Sequence, residues 1–223
     1  MIIAARFNGP PGSGNGGYTA GLVAAHLTGP VEVTLRRPPP LDTPLTVTAG
    51  QDATGGTVQV HDGEALVASA RTDPGEPPEA VPAVPFADAV AASRGYRGFT
   101  AHPFPTCFVC GPDRGDGLGL FPGPLPDGRT ATPWQVPPDV SPVLVWAALD
   151  CPGGWSVLTE DRPYVLGRIA ARLDAVPEPG AQCVITGRHV ASEGRKATVL
   201  STLYGPGGDV LARARATWIA VDR

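Results

Sequence analysis

The sequence is poor in charge, in aromatic rings and above all in lysine. Charged residues make up 17% of the 223 and aromatics 6%, and Lys196 is the single lysine among 17 basic residues. The arginines are scattered and the formal charge is -4, whereas a nucleic-acid footprint needs a basic face or stripe. No nucleic acid is therefore expected as a partner. No apolar run approaches the ~18 residues of a membrane span, and the short run ahead of Arg6 is too brief for a signal-peptide core. The expectation is a cytoplasmic protein without a membrane partner. Cysteine is scarce too. Cys107 and Cys110 have the two-residue gap of a zinc half-site, but no second such pair exists, and structural zinc wants four well-spaced ligands. Cys151 and Cys183 stand alone, and His102 and His189 sit at no ligand-like spacing. Metal and cofactor are accordingly expected to be absent, the cysteines being small buried thiols.

Glycine and proline, by contrast, are abundant at 29 and 27 residues, which predicts many turns and few long helices. A short strand is predicted over Ile2 to Phe7, then a Gly-rich loop, Asn8 to Gly17, opening into a helix over Tyr18 to Leu27. Four strand-like runs follow: Val31 to Arg37, Leu45 to Gly50, Thr57 to His61 and Ala65 to Thr72. Asp62-Gly63 between the last two is a hairpin signal. Asp73 to Pro85 is Pro-rich and reads as a semi-rigid connection, poor at packing, with a helical turn or two over Phe86 to Ser93. Short strands are predicted around Cys107 and over Leu118 to Phe121, and four more runs over Tyr164 to Leu173, Ala181 to His189, Ala197 to Tyr204 and Val210 to Val221.

Between these last groups lies SPVLVWAALDCPGGWSVL, Ser141 to Leu158. Ser141 suits an N-cap and Pro142 the first helical position. Val143 to Leu149 carry no charge around the helix, so the helix must be wrapped by protein. Pro152 should kink or stop it. One carboxylate, Asp150, sits in this apolar segment, and a buried acid is costly without a partner or a task.

Helix followed by four strands occurs twice. One register places Gly16-Gly17 and Gly153-Gly154 137 residues apart and pairs Pro40 with Pro177, Val47 with Val184 and Gly50 with Gly187. A second register pairs the helix of 15–27 with that of 141–151. The residues leave both open. Domains are expected at 1–75 and 99–223, joined by a linker at 76–98.

NGGYTAGLVAAHL followed by VEVTLRRPPPLDTPLTVTAG resembles the opening of type II acyl-CoA thioesterases, the tandem-hotdog kind, and WAALDCPGGW resembles their second, acid-bearing helix. CFVCGPDRGDGLGL resembles the opening strands of single-domain hotdog thioesterases acting on small aromatic acyl-CoAs. The resemblance implies an α+β double hotdog: two antiparallel sheets, each wrapped around a central helix, joined into one continuous sheet. It implies acyl-CoA or another acyl thioester as partner, a pocket between the halves, and self-association to a homodimer. It also implies roles. Gly16 and Gly17 would hold the thioester carbonyl at a helix N-terminus, and Asn15, standing where the family usually has His, could donate to it but not act as a base. Asp150 would be the general base or nucleophile, with Asp161 in reserve under the first register. Ala24 takes its place in the first copy, so one site of two would be equipped. Tyr18, Trp146 and Trp155 would line the acyl pocket. One departure stands against hydrolysis: no Gln is found in the last strand, where ARARATW stands; Arg213 and Arg215 there fit either an outward face or a CoA phosphate. A non-catalytic acyl-binding module and a hotdog dehydratase or hydratase are the rivals, the latter wanting a His with the acid.

Overall fold

The computed structural model describes residues 1–53, 55–159 and 162–221. Its ten strands form one antiparallel sheet, joined by three α-helices and two single 3-10 turns. In chain order these are α1 (Gly16–Ala24), β1 (Val31–Leu35), β2 (Thr46–Asp52), β3 (Gly55–Asp62), β4 (Ala65–Thr72), α2 (Phe86–Ser93), β5 (Gly123–Pro124), β6 (Thr130–Gln135), α3 (Pro142–Gly154), β7 (Tyr164–Leu173), β8 (Gln182–Glu193), β9 (Lys196–Tyr204) and β10 (Val210–Ala220). The sheet runs β2-β3-β4-β1-β7-β10-β9-β8-β6-β5.

That order has an internal logic. Outward from the β1–β7 junction, where Val31 faces Ala171 and Val33 faces Ile169, the sheet reads β4, β3, β2 one way and β10, β9, β8 the other. Each helix precedes four strands connected alike, and the helices occupy corresponding places. This matches α1 with α3, as in the second register; the first, which matched Gly16-Gly17 with Gly153-Gly154, fails for the helices because that second pair ends α3.

Both helices form for local reasons. Ser141 accepts a hydrogen bond from the Leu144 N–H at 3.4 Å, with Pro142 at the first helical position. Every residue from Leu144 to Gly154 is buried, as an uncharged circumference requires. Pro152 neither stops the helix nor shortens it before Gly154. What it removes is the N–H that would have met the Ala148 carbonyl, and its own carbonyl accepts from Thr130 Oγ1 at 2.6 Å. The helices approach through glycine. A Cβ on Gly17 would lie 2.5 Å from Asp150 Cβ and one on Gly21 2.9 Å from Val143 Cα. Position 17 thus meets 150 while position 21 meets 143, so the two helices run antiparallel.

Three local expectations fail. Ile2 to Phe7 is not a strand: Ala5–Phe7 make a 3-10 turn. The stretch around Cys107 forms turns and Leu118 to Phe121 is irregular, held to it by the Leu118 and Leu120 N–H groups donating to the Phe108 and Val109 carbonyls without a regular ladder, and β5 and β6 follow instead. The Pro-rich connection is not loosely packed either. Val81 is fully buried, its N–H donating to Thr202 Oγ1 and its carbonyl accepting from Thr186 Oγ1 and Tyr204 Oη. No described helix is long and apolar enough to cross a membrane.

Candidate functional site

Antiparallel packing brings the C-terminal half of α3 to the N-terminus of α1. Asp150 is the residue delivered there, 2% exposed. Its Oδ2 accepts from the Gly17 N–H at 2.9 Å and from Asn15 Nδ2 at 3.4 Å. Its Oδ1 is buried with no hydrogen-bond partner among the described residues. Burial pushes the carboxyl pKa up to about 7, against the pull of the Gly17 N–H; the nearby Cys107 pushes it further up and Asn15 draws it back. One oxygen is therefore pinned and the other free, on an acid poised to gain or lose a proton near neutrality.

Asn15 is bound at both ends of its amide. Oδ1 caps α1 by accepting the Tyr18 N–H at 2.8 Å, which orients Nδ2 toward Asp150 and, at 3.7 Å, toward Cys107 Sγ. The cap and the site contact are one arrangement. Gly17 gives its N–H to Asp150 rather than leaving it for a carbonyl. Gly16, one residue nearer the helix end, lines the cavity and has no carbonyl four residues back inside the helix to receive its N–H.

The cavity beside Asp150 has a volume near 50 Å³, with Asn15, Gly16, Trp155, Tyr164, Leu166 and Trp218 among its walls. A few waters fit such a space. Trp218, another residue of this lining, has its Nε1 buried and without a partner among the described residues. Pro10, Gly16, Val165 and Leu166 also line a wider groove of about 350 Å³ containing Arg36, Arg37 and Pro38. The groove and the inner cavity thus share a wall, and neither exposed arginine makes an ion pair among the described residues.

The aromatic expectations divide. Trp155 lines the Asp150 cavity. Tyr18 does not: it stacks on Phe7 at 3.8 Å and faces a separate groove. Trp146 also points elsewhere, into a cleft with Gly21, Ala24, Pro142, Arg172 and Asp174. That cleft is the counterpart of the Asp150 site. There Ala24 stands for the acid, and Pro142 at the N-terminus of α3 has no N–H to offer. Asp161 lies outside the described residues. Arg213 is held by Asp174 at 3.4 Å, while Arg215 is exposed.

The sequence reading missed the segment that closes the site. Residues 102–118 fold over the N-terminus of α1: the Phe108 N–H donates to the Asn8 carbonyl at 2.8 Å, and Arg114 Nη1 to Asn8 Oδ1 at 2.6 Å. This carries Cys107, Cys110 and His102 into the cavity wall beside Cys151. Cys151, which stands alone in the sequence, therefore joins the Cys107–Cys110 pair, the three sulfurs lying within 4.8 Å of one another. Hydrogen bonds from the Cys110 and Cys151 thiols hold the Cys107 pKa well below the usual thiol range. Burial pushes Cys110 up, and donation to Cys107 pushes Cys151 up. Cys183 sits apart in β8, its pKa raised by burial to about 11.

No family model matches the chain, and no curated protein matches it in sequence. Solved structures do. A conserved hot dog-fold protein of unknown function from Alicyclobacillus acidocaldarius aligns at TM-score 0.61 and 14% identity, over 99% of this chain and 92% of that one. The tesB protein of Mycobacterium avium subs paratuberculosis gives 0.59 and 14%, over 100% and 91%. The acyl-CoA thioesterase II TesB2 of Mycobacterium marinum gives 0.59 and 13%, over 93% and 89%. The chain is a double hotdog. The continuous sheet, the two wrapped helices and the near-complete coverage agree on that. At such identities the likeness carries the fold and leaves the chemistry to the residues around Asp150.

Proposed function

We propose that this double hotdog hydrolyses an acyl-CoA or related acyl thioester at Asp150, with the two halves as a tandem repeat of which only one site is equipped. The observation that carries the reading is the carboxylate itself: buried, pinned through Oδ2 at the N-terminus of α1, its Oδ1 without a partner among the described residues, on a residue that lines the cavity. The phosphates of CoA would lie along the groove at Arg36 and Arg37, whose guanidiniums suit such anions. The pantetheine arm would pass Pro10 and Leu166 to bring the thioester to Gly16. There the Gly16 N–H and Trp218 Nε1 would take the developing negative charge on the carbonyl oxygen. Asp150 Oδ1 would draw a proton from a water attacking the carbonyl carbon. The tetrahedral intermediate then collapses, the C–S bond breaks, and the proton passes to the leaving thiolate. The small cavity beside Asp150 favours a compact acyl group, pending outward movement of its walls.

One observation favours a second reading. His102 lines the same cavity as Asp150, which supplies the His and acid that a hydratase wants and that the sequence alone did not bring together. A panel of saturated, 2-enoyl and aromatic acyl-CoAs separates the readings. Free-thiol release is the result expected. Loss of the enoyl absorbance without thiol would mean hydration, and saturable binding with neither signal would mean a binding module.

A further inference from the structure

The three clustered cysteines come from two elements that meet nowhere else. Cys107 and Cys110 flank a turn closed by the Gly111 N–H on the Cys107 carbonyl at 2.8 Å. The turn needs glycine at its end: a Cβ on Gly111 would lie 2.5 Å from both the Cys107 nitrogen and the Pro105 carbonyl oxygen. Cys151 comes from α3, immediately after Asp150. All three are at most 4% exposed, and their sulfurs lie within 4.8 Å of one another. A tetrahedral zinc ion with Zn–S bonds of about 2.3 Å sets its sulfurs about 3.8 Å apart, so small side-chain rotations suffice to close the site.

Polar donors already point at two of these sulfurs. Asn15 Nδ2 lies 3.7 Å from Cys107 Sγ. His102 Nε2 lies 3.4 Å from Cys110 Sγ. The Phe104 N–H donates to His102 Nδ1 at 2.9 Å, which leaves the ring proton on Nε2 and turns it toward that sulfur. His102 therefore acts as a hydrogen-bond donor to the Cys110 sulfur and not as a ligand. Outer donors of this kind accompany metal-bound ligands.

We propose that Cys107, Cys110 and Cys151 form a three-thiolate site for a zinc ion, its fourth position taken by a water in the Asp150 cavity. Each thiol gives its proton to solvent as its Zn–S bond forms, and the ion ties the turn of 107–111 to α3. The site is independent of whether the chain hydrolyses thioesters.

The test uses the full chain purified with chelator and reductant, then titrated with Co²⁺. One equivalent is expected to saturate a sulfur-to-cobalt charge-transfer band and the visible bands of a tetrahedral ion, with protons released as the thiols bind, and Zn²⁺ should then displace the cobalt. Cys151→Ser should lose the charge-transfer band at one equivalent, while Cys183→Ser, whose thiol lies in β8, should keep it. The proposal is overturned if the reduced wild-type chain develops no such band. It is overturned equally if Cys151→Ser keeps it. The wild-type titration stands even where a variant does not fold.

Discussion

Replacing Gly17 with alanine tests the helix contact on which the site is built. In an isolated helix the change would gain about 1 kcal/mol. Here the new methyl would sit 2.5 Å from Asp150 Cβ, 2.7 Å from the Trp146 carbonyl oxygen and 3.0 Å from Ala147 Cα. Ordinary carbon contacts are about 3.5–4.0 Å, so α1 and α3 must separate by roughly 1 Å. Two of the three atoms are backbone and no rotamer change removes them. Overpacking of this sort costs about 1–3 kcal/mol. Lengthening the Gly17–Asp150 hydrogen bond, which bears on a charge, adds about 1.5–3 kcal/mol. Against the gain in helix propensity, the net loss is about 1.5–5 kcal/mol, or roughly 3–20 °C in melting temperature for a chain of this size. Gly115→Ala is the control, since a Cβ there meets nothing within 4 Å. Thermal melts followed by circular dichroism, with thiol release measured on the same samples, provide the comparison. A Gly17→Ala protein that melts at or above the wild type and keeps its turnover would refute the close-contact argument.

Other outcomes follow from the same geometry. The Asp150 pKa of about 7 means the folded state holds this proton more tightly than the unfolded chain does. Its contribution to stability is thus full below the usual carboxylate pKa and lost as pH rises toward 7, about 4 kcal/mol in all. Urea midpoints of metal-stripped protein should fall from pH 4.5 to pH 7.5, and Asp150→Asn should flatten that difference; an unchanged difference would place the titration elsewhere. Trp218→Phe keeps the ring and removes the donor, so kcat should fall about 10-fold or more with little change in KM. Arg36→Ala with Arg37→Ala should raise KM for acyl-CoA but not for the acyl-pantetheine, which lacks the nucleotide phosphates; equal effects on both would remove the CoA groove.

Much of the fold was legible because its signals are local. Ala65–Thr72, Phe86–Ser93 and Tyr164–Leu173 match their predicted bounds residue for residue, each being a run between strong turn residues. Asp150 was legible because a lone carboxylate in an uncharged helix needs an explanation that the sequence itself does not give. The failures are of tertiary origin. Trp146 shares the acid's helical face but lies one turn back, opening on another cleft, and Tyr18 lies on the other helix against Phe7; no spacing rule says which turn meets the cavity. Cys151 and Cys107 are far apart in the chain, so only the fold over α1 shows that they meet. Pro152 lies inside its helix, and its carbonyl is taken up by Thr130, a contact from another strand. The 137-residue register attracted notice through matched glycines, yet helix α3 runs on to those glycines instead of beginning there.

The central claim rests on Asp150, and the most direct measurement compares acyl-CoA turnover and binding in the wild type and in Asp150→Asn. Asparagine preserves size and can still accept from the Gly17 N–H, so binding should stay within a few-fold while kcat falls by about 10²-fold or more. An Asp150→Asn protein that folds, binds and turns over acyl-CoA at the wild-type rate would contradict the account.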